Sequence, residues 1–207
     1  MKRFQVVLKI CSTIRATKPP ASVNLAERHV EAMRGRILTI LRAKKYEEDE
    51  EKLEKEIKKW WEGTLSVFPR KQFNGCDQIA FPNSWILGVL ENRASTLKLA
   101  KISRNVIKNS VMVRPRLIGL KRDGKPITDA DGTIGDTVIA RDGHSAIKHF
   151  EIVTPPAYTE VIYINIYNEL IKTEDLMKLL EFGKLGASRG QGCGEFKLLR
   201  FEAVEET

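Results

Sequence analysis

The chain has 207 residues, 42% of them hydrophobic and 30% charged, which is the balance of an ordered protein and not of a disordered tail. No run approaches the ~18 consecutive apolar residues of a membrane span. Its 35 Lys and Arg outnumber 27 Asp and Glu to give +8, an excess that suits a polyanionic partner.

Arg3–Ile14, RFQVVLKICSTI, is a β-branched run that reads as a strand. It is too strand-like for a signal peptide, so a cytoplasmic location is the expectation. The prolines of TKPPAS end it, because proline fixes φ and removes a backbone donor. Asn24 with Glu27 then marks a helix start, followed by Leu25, Val30, Met33, Ile37, Ile40 and Leu41 at mostly helical spacing. Five consecutive acids, Glu47 to Glu51, open a second, solvated helix that Trp60 and Trp61 dock onto the body. Residues 24–62 therefore read as a helical insertion fitted for contact with a neighbouring subunit.

GTLSVFP precedes a polar loop, RKQFNGCDQIA, and FPNSWILGVLENRASTLKLAK predicts a short helix burying Ile86, Leu87, Val89 and Leu90. NSVMVRPRLIGL reads as one strand with Arg114 and Arg116 on the same face. KRDGKPITDADGTIGD is turn-rich, its two Asp-Gly pairs favouring hairpins or exposed tips. AIKHFEIVTPPAYTEVIYINIYN holds two strands either side of a Pro-Pro turn. Thr173 caps a short helix with Leu176, Leu179 and Leu180 facing inward, and EFKLLRFEA is a last strand. With the insertion set aside, the order is βαββαβ. That is the α+β, ferredoxin-like (RNA-recognition-like) antiparallel arrangement, as a single domain over residues 1–207.

Cys11, Cys76 and Cys193, like His29, His144 and His149, are scattered and match no metal-ligand spacing. Reduced thiols, no metal and no cofactor are expected. Residues 183–194, GKLGASRGQGCG, hold five of the 14 glycines between the predicted helix and the last strand. A P-loop needs the reverse setting and a Lys-Ser/Thr ending, so ATP chemistry is disfavoured. Two uses stand. Glycines admit positive φ and tight packing turns. They also bare N–H groups which, with Lys184, Ser188, Arg189 and Gln191, can hold a sugar-phosphate chain with little sequence preference.

FPNSWILGVLENRAS and GKLGASRGQGCGEFKLL together resemble the RAMP superfamily of CRISPR-associated proteins. Its apolar-Pro-x-Ser-x-x-x-Gly-x-apolar segment is matched by Phe81, Pro82, Ser84, Gly88 and Leu90. Its glycine-rich loop before the last strand is matched by Gly183 to Gly194, with Arg189 inside. HFEIVTPPAYTEVIYINI resembles the segment between them. The resemblance covers residues 1–12 and about 63–205 and is closest to the backbone subunits of type III (Csm/Cmr-like) effector complexes. It implies a modified RNA-recognition fold whose copies stack along the CRISPR guide RNA, with that RNA, other RAMP subunits or copies of itself as partners and no membrane. It further implies guide-RNA phosphates held by the helix start at Ser84 and by Lys184, Gly186, Ser188, Arg189, Gly190 and Gln191. Arg70 and Lys71 precede that helix and Arg93 lies on it. A helix start offers free N–H groups to a phosphate, and Ser84 can equally serve as its cap.

Some type III backbone subunits cut target RNA with an aspartate upstream of the Pro-x-Ser segment. Asp77, five residues before Pro82, is the carboxylate available here, and a polar turn residue is its other reading. The RNA-processing branch uses a histidine near the N-terminus, and His29 lies in a suitable region. Its imidazole can act as general acid or base on a ribose 2′-hydroxyl, or simply sit at a surface or in a core. The expectation is a non-catalytic RNA-binding subunit in antiviral defence. The alternative is a metal-independent endoribonuclease that processes CRISPR precursor RNA with His29.

Overall fold

Strict alternation makes the first strand a central one. In β1 (Lys2–Ile10), Phe4, Val6, Leu8 and Ile10 are buried on one face while Arg3, Gln5, Val7 and Lys9 take the other. The computed structural model describes residues 1–17, 65–97, 102–139, 145–186 and 192–204. After β1 come β2 (Ile14–Arg15), β3 (Leu65–Ser66), β4 (Arg70–Phe73), β5 (Cys76–Pro82), α1 (Ser84–Leu97) and α2 (Arg104–Ser110). Next are β6 (Val111–Arg114), β7 (Leu117–Arg122), β8 (Lys125–Pro126), β9 (Gly132–Ile139), β10 (Ser145–Val153), β11 (Ala157–Thr159) and β12 (Ile162–Ile166). α3 (Thr173–Glu181), β13 (Phe182–Lys184) and β14 (Glu195–Val204) follow. Two compact units result, one from Met1–Ala16, Phe68–Gly132 and Ile152–Thr207, the other from Thr17–Val67 and Thr133–Glu151.

In the first unit β1 lies between β14 and β12, and β12 pairs with β6, every pair antiparallel. The spatial order β14-β1-β12-β6, with α1 and α3 as crossovers, is the ferredoxin-like βαββαβ arrangement. Beyond Val6 the partner of β1 changes from β12 to β11, and β11-β7-β5-β4 carries the sheet on to a second edge. Ile86, Val89, Leu90 and Ala94 of α1, and Leu176, Leu179 and Leu180 of α3, join the buried face of β1 in one apolar cluster. Each buried leucine or isoleucine there contributes about 1.5–3 kcal/mol relative to exposure. In the second unit, His149 and Phe150 of β10 run parallel to Leu65 and Ser66 of β3. The helical insertion expected at 24–62 lies outside the described residues.

Three local expectations are corrected. RKQFNGCDQIA is not a loop but the β4–β5 hairpin, turning on Asn74 and Gly75 at φ of 49° and 80°. Both positive angles belong to the tight turn whose twist matches paired strands. The same turn recurs at Asp123 and Gly124, as its Asp-Gly pair implied. NSVMVRPRLIGL is not one strand: Ser110 ends α2, and β6 and β7 part at Pro115, which has no N–H to continue a ladder. α3 starts with Thr173 as its first helical residue, since the Leu176 N–H already donates to Lys172 O at 3.1 Å.

Asp131 fastens the end of this sheet. Its carboxylate accepts both Arg122 Nη1 and Nη2 at 2.7 Å, and the Thr154 N–H and hydroxyl at 2.7 and 2.8 Å. The Arg122 hydrogen bonds above all, aided by Thr154 against partial burial, hold this carboxyl well below the usual carboxylate range. Asp131→Asn is expected to lower stability by about 2 kcal/mol, the scale of charge-assisted hydrogen bonds that are partly exposed. A carboxyl depressed by folding supports the fold fully above its unfolded value near pH 4 and loses that support as pH falls toward the folded one. Urea midpoints at neutral pH and at about pH 3 check both statements, since the gap between wild type and variant should narrow in acid.

Candidate nucleic-acid interface

Helix α1 is anchored by the residue before it. The Asn83 N–H donates to Arg116 O at 3.0 Å and its Nδ2 to Val113 O at 2.7 Å, while its own carbonyl accepts from the Ile86 and Leu87 N–H groups. Asn83 thus holds the N-cap position, and Ser84 is the first helical residue, exposed. The capping role expected of Ser84 therefore belongs to Asn83. Of the first-turn amides, those of Ser84 and Trp85 have no carbonyl partner within the helix and present the positive end of its dipole. The Trp85 ring steadies this turn, stacked on Phe81 at 5.4 Å and tilted on Phe68 at 6.4 Å.

The two ends of the glycine loop close beside the same turn. The buried Leu185 donates its N–H to Gly194 O at 2.8 Å, and the Gly194 N–H donates to Thr13 O at 2.8 Å. Ser12 Oγ donates to Gly192 O at 2.9 Å and accepts the Glu195 N–H at 2.8 Å. A methyl group on Gly186 would lie 2.4 Å from Arg15 O and 3.3 Å from the Trp85 ring; on Gly183 it would lie 2.4 Å from the Phe196 ring. Close packing therefore explains Gly183 and Gly186 at the base of the loop. Ser188, Arg189, Gly190 and Gln191, at its tip, lie outside the described residues.

Gly186 meets Trp85 and Gly183 meets Val89, so β13 runs alongside α1 and the two motif stretches, far apart in sequence, share one border. Further along that border lies a cleft of about 660 Å³. Val89, Gly183 and Phe196 give it an apolar floor, Asn92, Thr96 and Cys11 polar sides, and Arg93, Lys184, Lys197 and Glu195 its charges. Lys184 Nζ stands 3.3 Å from Glu195 Oε1. Arg93 Nη2 donates to Lys178 O at 3.3 Å, while its Nε is buried without a hydrogen-bond partner among the described residues. About 18 Å of helix separates Ser84 from Thr96.

Of the site residues expected from the sequence, Arg93 and Lys184 line this cleft, Gly186 packs against Trp85, and Ser84 opens the helix that carries Trp85 and Arg93. Arg70 and Lys71 sit instead on β4, the sheet edge farthest in strand order from β13. Arg70 Nη1 donates to Phe68 O at 2.8 Å. Lys71 is ion-paired with Glu160, which also accepts the Gly119 N–H at 3.0 Å. Asp77, exposed on the β4–β5 hairpin, accepts a hydrogen bond from Gln72 Nε2. His29 lies outside the described residues. The sequence reading missed Asn92, Thr96 and Lys197. Ser84, Gly88, Asn92 and Thr96 recur every fourth residue, a polar line that could have disclosed the first two.

Gly88 on that line has nothing within 4 Å of where a methyl group would stand. Glycine inside a helix costs about 0.5–1 kcal/mol relative to alanine, and no packing within the described chain requires it. Gly88→Ala is expected to raise the urea midpoint by that amount of stability. Destabilisation instead would mean that the helix surface is already covered.

No protein-family profile matches the chain, and no curated protein does. Among solved structures it is similar to a chain of the Type III-B Cmr-beta complex bound to cognate target RNA, with a TM-score of 0.51 and 11% identity. That match covers 99% of this chain but 61% of the other, so this chain spans about three-fifths of its neighbour's length. A chain of a Type IV-B CRISPR complex is similar at a TM-score of 0.49 and 10% identity, covering 99% and 91%. The likeness is one of fold. Among the described residues no helix is long and apolar enough to cross a membrane.

Proposed function

We propose that the chain is an RNA-binding subunit of a CRISPR effector ribonucleoprotein, acting in antiviral defence. The observation that carries this reading is the meeting of Gly186 with Trp85. It brings the start of the glycine loop against a side chain of the first turn of α1, which supports a phosphate track shared by the two motifs. N–H groups there donate to phosphate oxygens, Arg93 and Lys184 supply charge along the track, and Arg189 adds charge from the loop tip. Such contacts grip the guide-RNA backbone whatever its sequence. The fold likeness to a chain of an RNA-bound Type III-B complex and the net charge of +8 support the same reading. The work asked of this chain is holding RNA, not cutting it. Its partners are the guide RNA and other subunits of the complex, copies of itself included, in the cytoplasm.

Fluorescence anisotropy with labelled single-stranded RNAs of unrelated, guanine-free sequence tests this. Similar affinities that fall steeply as salt rises are expected, because bound counterions are released. Failure to bind any of them at low salt overturns the proposal.

A further inference from the structure

We infer that the cleft between α1 and the β13–β14 pair is a base pocket, which takes one unpaired guanine from the bound strand. This rests on the RNA-binding reading and concerns a part of the site that backbone contacts leave unused. Three of its features do not suit a phosphodiester. A volume near 660 Å³ far exceeds a phosphate group and falls among pockets for nucleotide-sized ligands, about 300–1,000 Å³. Val89 and Phe196 give it an apolar floor, which a phosphate cannot use and a planar base can. Glu195 brings a carboxylate, which repels phosphate.

That carboxylate selects among bases. Guanine offers two adjacent donors, N1–H and the N2 amino group, which a carboxylate can accept side by side. The Watson–Crick edges of adenine and cytosine place a bare ring nitrogen beside their amino group, and that lone pair would meet a carboxylate oxygen. Uracil presents one N–H between two carbonyls. Glu195 is held for the task by its backbone: its carbonyl accepts the Cys11 and Ser12 N–H groups at 2.7 and 3.2 Å, and its N–H donates to Ser12 Oγ at 2.8 Å. Lys184, 3.3 Å from the carboxylate, and Arg93 bring positive charge to the same cleft for the nucleotide's own phosphate, while Asn92 offers an amide to the remaining base edge.

The test compares two probes. A short single-stranded RNA with one guanine should bind about tenfold tighter than the same RNA with adenine there, the scale of one bidentate base contact. Free guanosine monophosphate should give saturation-transfer NMR signals that the other three nucleoside monophosphates do not. Glu195→Gln should abolish both preferences. A urea midpoint matched to that of the wild type shows that the variant folds. Equal binding of all bases, or a guanine preference that survives in Glu195→Gln, overturns the pocket while the backbone reading stands. Guanosine monophosphate bound selectively by a protein that holds no single-stranded RNA would overturn the backbone reading and keep the pocket. Loss of both signals overturns both.

Discussion

Gly194→Ala is expected to destabilise the protein by about 3–5 kcal/mol, enough to leave little folded chain. Its added methyl would fall 1.8 Å from the Leu185 carbonyl oxygen and 2.7 Å from the carbon behind it. Those are backbone atoms, and no side-chain rotation relieves the overlap. Gly194 also has φ of 75°, where an L residue costs about 1–2 kcal/mol. Relief would require the loop ends to part, breaking the Leu185 and Gly194 hydrogen bonds of 2.8 Å at about 1 kcal/mol each. Gly192→Ala is the internal comparison. Gly192 has a similarly positive φ of 80° but open space around it, so its cost should be near 1–2 kcal/mol. Urea denaturation of the pair measures the difference. Equal losses would mean that the loop base is not closed as described.

The combined variant Arg93→Ala, Lys184→Ala, Arg189→Ala is expected to weaken single-stranded RNA binding about 100-fold near physiological salt. The slope of log affinity against log salt should flatten by about 2, since each phosphate contact on a single strand contributes about 0.7. Lys71→Ala is the control, because it removes the same charge from the opposite sheet edge. Sequence alone counted Lys71 with Arg70, Arg93 and Lys184; the structure sets Arg70 and Lys71 together on β4, away from Lys184 on β13. An unchanged slope in the combined variant, or an equal change in Lys71→Ala, would sink the proposed track.

The order of strands and helices was legible because its markers are apolar and periodic. Ile162, Ile164 and Ile166 alternate as strictly as Phe4, Val6 and Leu8, and the three leucines of α3 fall on one face. The β4–β5 hairpin was not legible, because an edge strand such as Arg70–Phe73 carries polar side chains and no apolar alternation. Its Asn-Gly turn was the signal to follow. At α1, Asn83 and Ser84 are both good capping residues, and local pattern could not choose between them. The choice was made by Val113 and Arg116, distant partners that bind Asn83. The cleft was half legible. Lys184 and Arg93 drew notice as charges, whereas Asn92 and Thr96 resembled an ordinary wetted helix face. Lys197 enters by strand register, with Lys184 opposite Glu195 and Phe182 opposite Lys197, which composition does not encode.

The position of β1 also governs how this chain must be made. It is synthesised before its partners β11, β12 and β14, which all lie from Ala157 onward. Phe4, Val6 and Leu8 must therefore wait, unsatisfied and sticky, until those strands have left the ribosome. Such distant pairings favour slow folding and shelter by a chaperone during translation.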